Sequence, residues 1–321
     1  MAALAEESSS IQSLRDALKT SAKRNIKEIP AEEWLQQCDA IDESQLQRYL
    51  TARDSNIQEA ATLGLRAEEW RWKWKPTTIT PDDISTSLPS GCWRFAGFSK
   101  DKRPIVLIDA GLWRPGDYSL EEYIRYVSWF IEGQIIRMEG DVTKHIVIFD
   151  MGGFSLWHND LRKVHQLVTI TQTCYPERLS LAALVNVPTL FLGVWAVIKP
   201  WLDPETLAKV HLFGGSESQK EAAKVLLTEI IDSDTLLEQY GGTKATNFPI
   251  PTAKPEKGDD YPGGSGTMEE AVGALAGAGG GGEGGGGGDE AAELEKQKQE
   301  AAEIEGEEPA SSRSRAASST M

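Results

Sequence analysis

CYPERLSLAALVNVPTLFLGVWAVIKPWLDPETLAKVHLFGG, residues 174–215, is the stretch from which the fold is read. Tyr175-Pro176-Glu177-Arg178 makes a rigid polar corner. Leu179 to Val187 is an apolar run of strand length, and Pro188 ends it, because proline gives no N–H to a ladder and fixes its own φ. Thr189 to Ile198 carry no charge. Within them Leu190, Phe191, Val194, Trp195, Val197 and Ile198 would cover most of the circumference of a short helix. Lys199-Pro200 closes it. Asp203-Pro204 opens another helical turn, with Asp as N-cap and Pro at the first helical position, and Thr206 and Lys209 lie three apart on its face. Polar groups are thus set beside an uncharged helix that something apolar must cover. A buried core helix is one reading, and a helix laid over an apolar ligand is the other.

Working outward, residues 1–76 read as helical. Ile11, Leu14 and Leu18 share a face, Trp34 follows Pro30 in a second helix, and Asp42 caps a third that carries Leu46, Tyr49 and Leu50. After Arg48-Tyr-Leu-Thr-Ala-Arg53, a longer helix runs through Ala60, Leu63 and Ala67 to Trp70, Trp72 and Trp74. These tryptophans alternate with basic residues. Either Trp70 packs in the core with the others over it, or the three form a membrane-facing patch. Beyond a Pro-containing connector the period changes. Cys92–Phe95 and Ile105–Asp109 read as strands joined by a charged turn. Tyr118–Met138 reads as an amphipathic helix, Lys144–Asp150 as a buried central strand and Leu156–Thr173 as a helix. Residues 217–231 form one more helix before Tyr240-Gly241-Gly242. Alternating strands and helices predict an α/β fold with a mixed, partly parallel sheet flanked by helices.

The order of these parts resembles the CRAL-TRIO lipid-binding domain, most closely its phosphatidylinositol transfer branch, over about residues 44–242. The matching elements are R-x-L-x-A-R before a helix ending in W-R, then Y-P-E-R, the strand ending in Asn186-Val187-Pro188, the aromatic helix closed by K-P-W-L-D-P, and T-x-x-K. The resemblance implies an apolar lipid cavity behind a small helical module, with Leu190, Phe191, Val194, Trp195, Val197 and Ile198 on a gate helix that meets acyl chains. It implies a headgroup site at Arg53, Glu177, Thr206 and Lys209. Phosphate is suited by cations and hydroxyl donors, and inositol hydroxyls by a carboxylate. Enclosure matters because about thirty methylenes at roughly 0.8 kcal/mol each make free transit cost on the order of 20 kcal/mol. Family members that also carry phosphatidylcholine have hydroxyls on the central strand, where this chain has His145 and Val147. A tyrosine on the preceding strand is Val106 here, and the basic residue common after Arg53 is Asp54.

Composition limits the alternatives. The chain has 321 residues, 40% hydrophobic and 8% aromatic, with net charge −16, which lacks the basic footprint of a nucleic-acid binder. Three dispersed cysteines, Cys38, Cys92 and Cys174, suggest neither a disulfide framework nor a zinc site. There is no G-x-x-x-x-G-K-[ST], H-E-x-x-H or G-x-S-x-G, and Asp150 before Gly152-Gly153 reads as a satisfied turn residue. No enzyme, catalytic residue, metal or cofactor is expected, only a bound phospholipid. The N-terminus has no signal-peptide pattern and no apolar run reaches a membrane span, so a cytosolic chain with transient membrane contact is expected. The expected domains are a helical module at 1–76, a lipid-binding domain at 77–243 and a disordered, acidic, Gly-rich tail at 244–321. From Pro251 on there are 15 acidic and 6 basic residues. Two other functions fit the same elements. One is a carrier of a retinoid, tocopherol or sterol, for which a neutral ligand would leave Thr206 and Lys209 unused. The other is a membrane-sensing adaptor whose acidic tail recruits partners.

Overall fold

The computed structural model describes residues 2–25, 29–156, 160–245 and 247–255, with positions 295, 296, 299 and 302. They divide into two compact units. The first joins residues up to Ile79 with the segment Thr169–Arg178, and the second joins Thr80–Val168 with the described residues from Leu179 on.

The first unit is helical: α1 (Ala2–Asn25), α2 (Ala31–Ala40), α3 (Glu43–Thr51) and α4 (Ile57–Trp74). Side-chain caps set two of the starts. Asp42 accepts the Gln45 N–H at 2.8 Å, and Asn56 accepts those of Gln58 and Glu59 at 3.1 and 3.2 Å, so donors left open at a helix start are used. Lys75, with φ of 45°, ends α4 ahead of Pro76. Leu14, Leu18, Trp34, Leu46 and Tyr49 fill the core. Several of its polar groups are paired inside it. The Tyr49 hydroxyl donates to Glu68 at 2.7 Å, Gln37 donates to Glu68 at 2.9 Å, and the Trp34 indole donates to the Leu18 carbonyl at 3.2 Å. Of the three tryptophans, Trp70 is half-buried edge-on to Tyr175. Trp72 lies on the helical core and donates to Glu33. The expectation of a core Trp70 is therefore corrected: a ring of that size stays partly open at a helix end.

The second unit is the expected α/β fold. Strands β1 (Trp93–Phe98), β2 (Pro104–Asp109), β3 (His145–Asp150), β4 (Leu179–Val187) and β5 (Val210–Gly214) form one sheet in the order of the chain. β1 and β2 are antiparallel, and the other three pairings are parallel. The crossovers between parallel neighbours carry helices: α5 (Leu120–Ile136), α6 (Leu161–Thr169) followed by a π-helical turn at Ile170–Cys174, then α7 (Phe191–Ile198) and α8 (Pro204–Ala208). α9 (Glu217–Ile230) follows β5. Strand alternation divides the apolar residues between two faces. Ile105, Leu107, Ile146, Ile148, Ala183 and Val185 pack with Ala223, Leu227 and Ile231 at α9. On the opposite face, register aligns Val106, Val147, Ala182 and Val210 in one row and Ile108, Phe149, Leu184 and Leu212 in the next. Trp93 and Phe95 of β1 share that face and pack on Phe130 of α5.

Asp150 ends β3 and gathers the carboxyl ends of the strands. Its carboxylate accepts Gly152 N–H and Asn186 Nδ2 at 2.9 Å each, Gln239 Nε2 at 3.2 Å and the Tyr240 hydroxyl at 2.6 Å. This is the satisfied turn residue that the sequence implied. Asp109 is its in-register neighbour on β2. Burial raises the Asp109 pKa, with the negative charge of Asp150 adding to it, against the hydrogen bond from Gly111 N–H.

The tail was expected to begin at residue 244, and residues 247–255 correct this. Phe248 is only 6% exposed, within the α9 face of the core. Gly91, with φ of 61°, comes so close to this segment that a Cβ there would stand 2.8 Å from Ile250, and a Cβ on Gly133 of α5 would stand 3.3 Å from Pro255. The segment thus passes from one face of the sheet, by the start of β1, to the helix on the other. Its proline content made it look like a tail, but prolines suit an extended strap that donates few hydrogen bonds. The expected flexible, acidic remainder lies outside the described residues apart from the four positions named above.

Two outcomes are expected. Phe248→Ala should cost about 3 kcal/mol, as a buried aromatic does, and urea denaturation reads it; a loss near zero would return this segment to the tail. Asp109→Asn should raise the melting temperature at neutral pH. A carboxyl whose folded pKa is raised penalises folding above that pKa, and the penalty fades as pH falls to about 4. The gain should therefore shrink between pH 7 and about pH 4, and an equal gain at both would assign it to packing.

Candidate functional site

The uncharged helix of residues 189–198 exists as α7. Asn186, in the left-handed region with φ of 55°, and Pro188 turn the chain out of β4. The first turn is pinned by Phe191 N–H to the Pro188 carbonyl at 3.0 Å and by Leu192 N–H to that of Thr189 at 3.1 Å. Phe191, Val194 and Ile198 are buried, spaced as one helical stripe. Phe191 meets Phe154 edge-on with ring centroids 5.2 Å apart. Leu190, Trp195 and Val197 are half-buried. The apolar character does not stop at the inner stripe: Leu192 is 51% exposed and Ala196 is exposed beside it. Sequence reasoning had left Leu192 out, since a helix apolar all round hides which face is outward.

After Lys199-Pro200-Trp201, Asp203 caps α8. Its carboxylate accepts the Thr206 N–H at 2.7 Å and the Thr206 hydroxyl at 2.9 Å. Lys209 ends the helix, and its Nζ lies 2.9 Å from Glu205 Oε1. The Lys209 carbonyl accepts Ala182 N–H of β4 at 2.9 Å, which fixes the base of the side chain to the sheet. Thr206 and Lys209 are thus brought together on one short helix, as their spacing implied. The acids Asp203 and Glu205 were not expected as their partners, although a Glu four residues before a Lys is a readable helix pair.

Arg53 and Glu177 belong to the first unit. Arg53 follows α3 and donates from Nη1 to the Ala52 carbonyl at 2.6 Å. It opens a turn in which Asp54 and Ser55 both have positive φ, 50° and 61°. Glu177 is half-buried and holds φ of 59°. A non-glycine residue in that region costs of order 1–3 kcal/mol and persists where its surroundings demand it. Next to it Tyr175 is buried, with Arg71 over its ring at 5.5 Å.

The positions that depart from the phosphatidylcholine pattern form part of the apolar face. Val106 and Val147 are direct neighbours across β2 and β3, and that row offers no hydroxyl, while His145 is buried at the start of β3. Among the described residues no group of His, Cys, Asp and Glu has the arrangement to hold a metal ion, and no helix is long and apolar enough to cross a membrane. Cys38, Cys92 and Cys174 are free and buried, and burial pushes the Cys38 thiol up to about 12.

Comparison with known proteins agrees with this geometry. The sequence is 27% identical over 261 residues to the CRAL-TRIO domain-containing protein C3H8.02 of Schizosaccharomyces pombe, covering 76% of this chain and 57% of that one. It is 28% identical over 223 residues to the phosphatidylinositol transfer protein CSR1 of Eremothecium gossypii, covering 66% of this chain and 49% of that one. The chain thus spans about half the length of these curated relatives. The crystal structure of Sfh5 superposes with a TM-score of 0.55 at 20% identity, covering 74% of this chain and 89% of that one, which establishes a shared fold. Residues 89–242, just under half of the chain, match the CRAL/TRIO domain.

Proposed function

We propose that the chain binds phosphatidylinositol and transfers or presents it between membranes, without catalysing a reaction. The observation that carries this reading is one continuous stretch. An uncharged helix, α7, buries Phe191, Val194 and Ile198 and exposes Leu192, and it is soon followed by α8, which carries the Thr206 hydroxyl and ends at the Lys209 ammonium. Acyl chains require an apolar enclosure, and a helix apolar on its inner and outer sides can face them or a bilayer without desolvating a charge. Leu190, Trp195 and Val197 complete the proposed gate. A phosphodiester requires a cation and a hydroxyl donor, which Lys209 and Thr206 supply. Arg53 and Glu177, in the first unit, are proposed as headgroup residues in their own right, and the left-handed backbone at Glu177 supports a role that outweighs its strain. The valine row of the sheet favours phosphatidylinositol over phosphatidylcholine. Contact with the membrane is proposed to be peripheral, through α7. A neutral ligand such as a sterol would make no use of Lys209.

Vesicle-to-vesicle transfer of labelled lipids tests the reading. Phosphatidylinositol should be carried well and phosphatidylcholine poorly, and equal transfer of the two would overturn the selectivity. Lys209→Ala should weaken phosphatidylinositol binding by about 1.5–3 kcal/mol, the size of a charge-assisted hydrogen bond, with the fold intact by circular dichroism. Leu192→Asp acts differently. It places a charge on an exposed site, so folding should be unaffected, yet transfer of every lipid should fall because the helix can no longer meet a bilayer cheaply. Normal transfer by this variant would remove the gate.

A further inference from the structure

We propose that Glu205 restricts the headgroup site at Lys209 to a lipid phosphate with a single negative charge, and disfavours headgroups that carry additional phosphate groups. The proposal rests on the headgroup reading above and adds a selectivity filter to it.

The two donors assigned to the phosphate already have acidic partners on the same helix. Glu205 Oε1 holds Lys209 Nζ at 2.9 Å, and Asp203 Oδ2 holds the Thr206 hydroxyl at 2.9 Å. The exposures of the ion pair are unequal: the Lys209 side chain is 18% exposed and that of Glu205 is 55%. The ammonium is therefore held in place while its carboxylate partner lies mostly in water. An arriving phosphodiester can take the place of Glu205, which swings into solvent at the small cost of an exposed ion pair. Asp203 is less free to leave, because it also caps α8 through the Thr206 N–H at 2.7 Å.

Charge sets what this site tolerates. From Asp203 to Lys209 there are two carboxylates and one ammonium. A phosphodiester carries one negative charge, which Lys209 balances. Each further phosphate monoester adds about 1.5 to 2 negative charges near neutral pH. Those charges would meet Asp203 and the displaced Glu205 on α8 with no second cation on that helix. Glu205 therefore acts twice: it competes mildly with every phosphate, and it adds to the repulsion of extra phosphates.

Glu205→Gln separates these effects, since the amide still offers Lys209 an oxygen and the site is exposed enough for the fold to be kept. The full chain would be incubated with phosphatidylcholine vesicles doped with phosphatidylinositol or with phosphatidylinositol monophosphate, and the extracted lipid measured by mass spectrometry. The wild-type chain should prefer phosphatidylinositol. Glu205→Gln should raise phosphatidylinositol extraction by up to about 5-fold, the scale of an exposed ion pair. It should raise monophosphate extraction by more, so that the preference narrows. An unchanged preference in a folded Glu205→Gln chain, alongside loss of extraction in Lys209→Ala, overturns the filter and leaves the headgroup site standing. A Lys209→Ala chain that extracts phosphatidylinositol normally removes the headgroup site itself. Inorganic phosphate in the buffer should leave wild-type extraction unchanged. Suppression would assign Lys209 to free phosphate and overturn the proposal.

Discussion

Asp150 joins parts of the second unit that no local rule of sequence would connect. Its two oxygens take donors from the turn after β3, from Asn186 near the end of β4, and from Gln239 and Tyr240 in the closing turn. Loss of the carboxylate would leave the half-buried Asn186 amide and the buried Tyr240 hydroxyl without it, and unmet polar groups of this kind cost about 1–3 kcal/mol each. The position of α7 depends on the same bond. Asn186 has positive φ one residue before β4 ends, so the carboxylate that closes the domain also holds the strand end from which the uncharged helix follows.

From that fixed start, the two helices that follow β4 share a division of labour. α7 carries no charge and offers apolar groups inward and outward. α8 carries the polar groups, and the Lys209 carbonyl is bonded into β4. An uncharged helix is thereby followed by a cation whose backbone is bonded to the sheet. This separation suits the gate and the binding residue proposed for these neighbouring segments.

The strands and most helices were legible because their signals are local. Leu179–Val187 is apolar and ends at a proline, and Asp42 and Asp203 are capping residues that cap as expected. The placing of Thr206 and Lys209 three apart on and just after α8 followed from spacing alone. What was not legible depends on distant partners. The approach of Asp109 to Asp150 follows from parallel register between β2 and β3, which no short-range pattern encodes. Phe248 lies in a proline-rich segment whose composition suggests a linker, and only the surface formed by α9 and the sheet makes it core. The grouping of Thr169–Arg178 with the N-terminal helices has the same cause. Its sequence continues α6 and leads into β4, and nothing in it names the helices with which it is grouped.

The place of Phe248 in the core has a consequence for synthesis. Chains emerge from the N-terminus at about 5–20 residues per second. Ile105 and Leu107, which share the Phe248 side of the sheet, are therefore made roughly 7–30 s before the ring that completes their core. During that interval the sheet face lacks the ring, and an open apolar face is the kind of surface that associates with other chains. The domain reaches its native form only when translation has passed well beyond α9, so a nascent chain stalled there would present an unfilled apolar face to its surroundings.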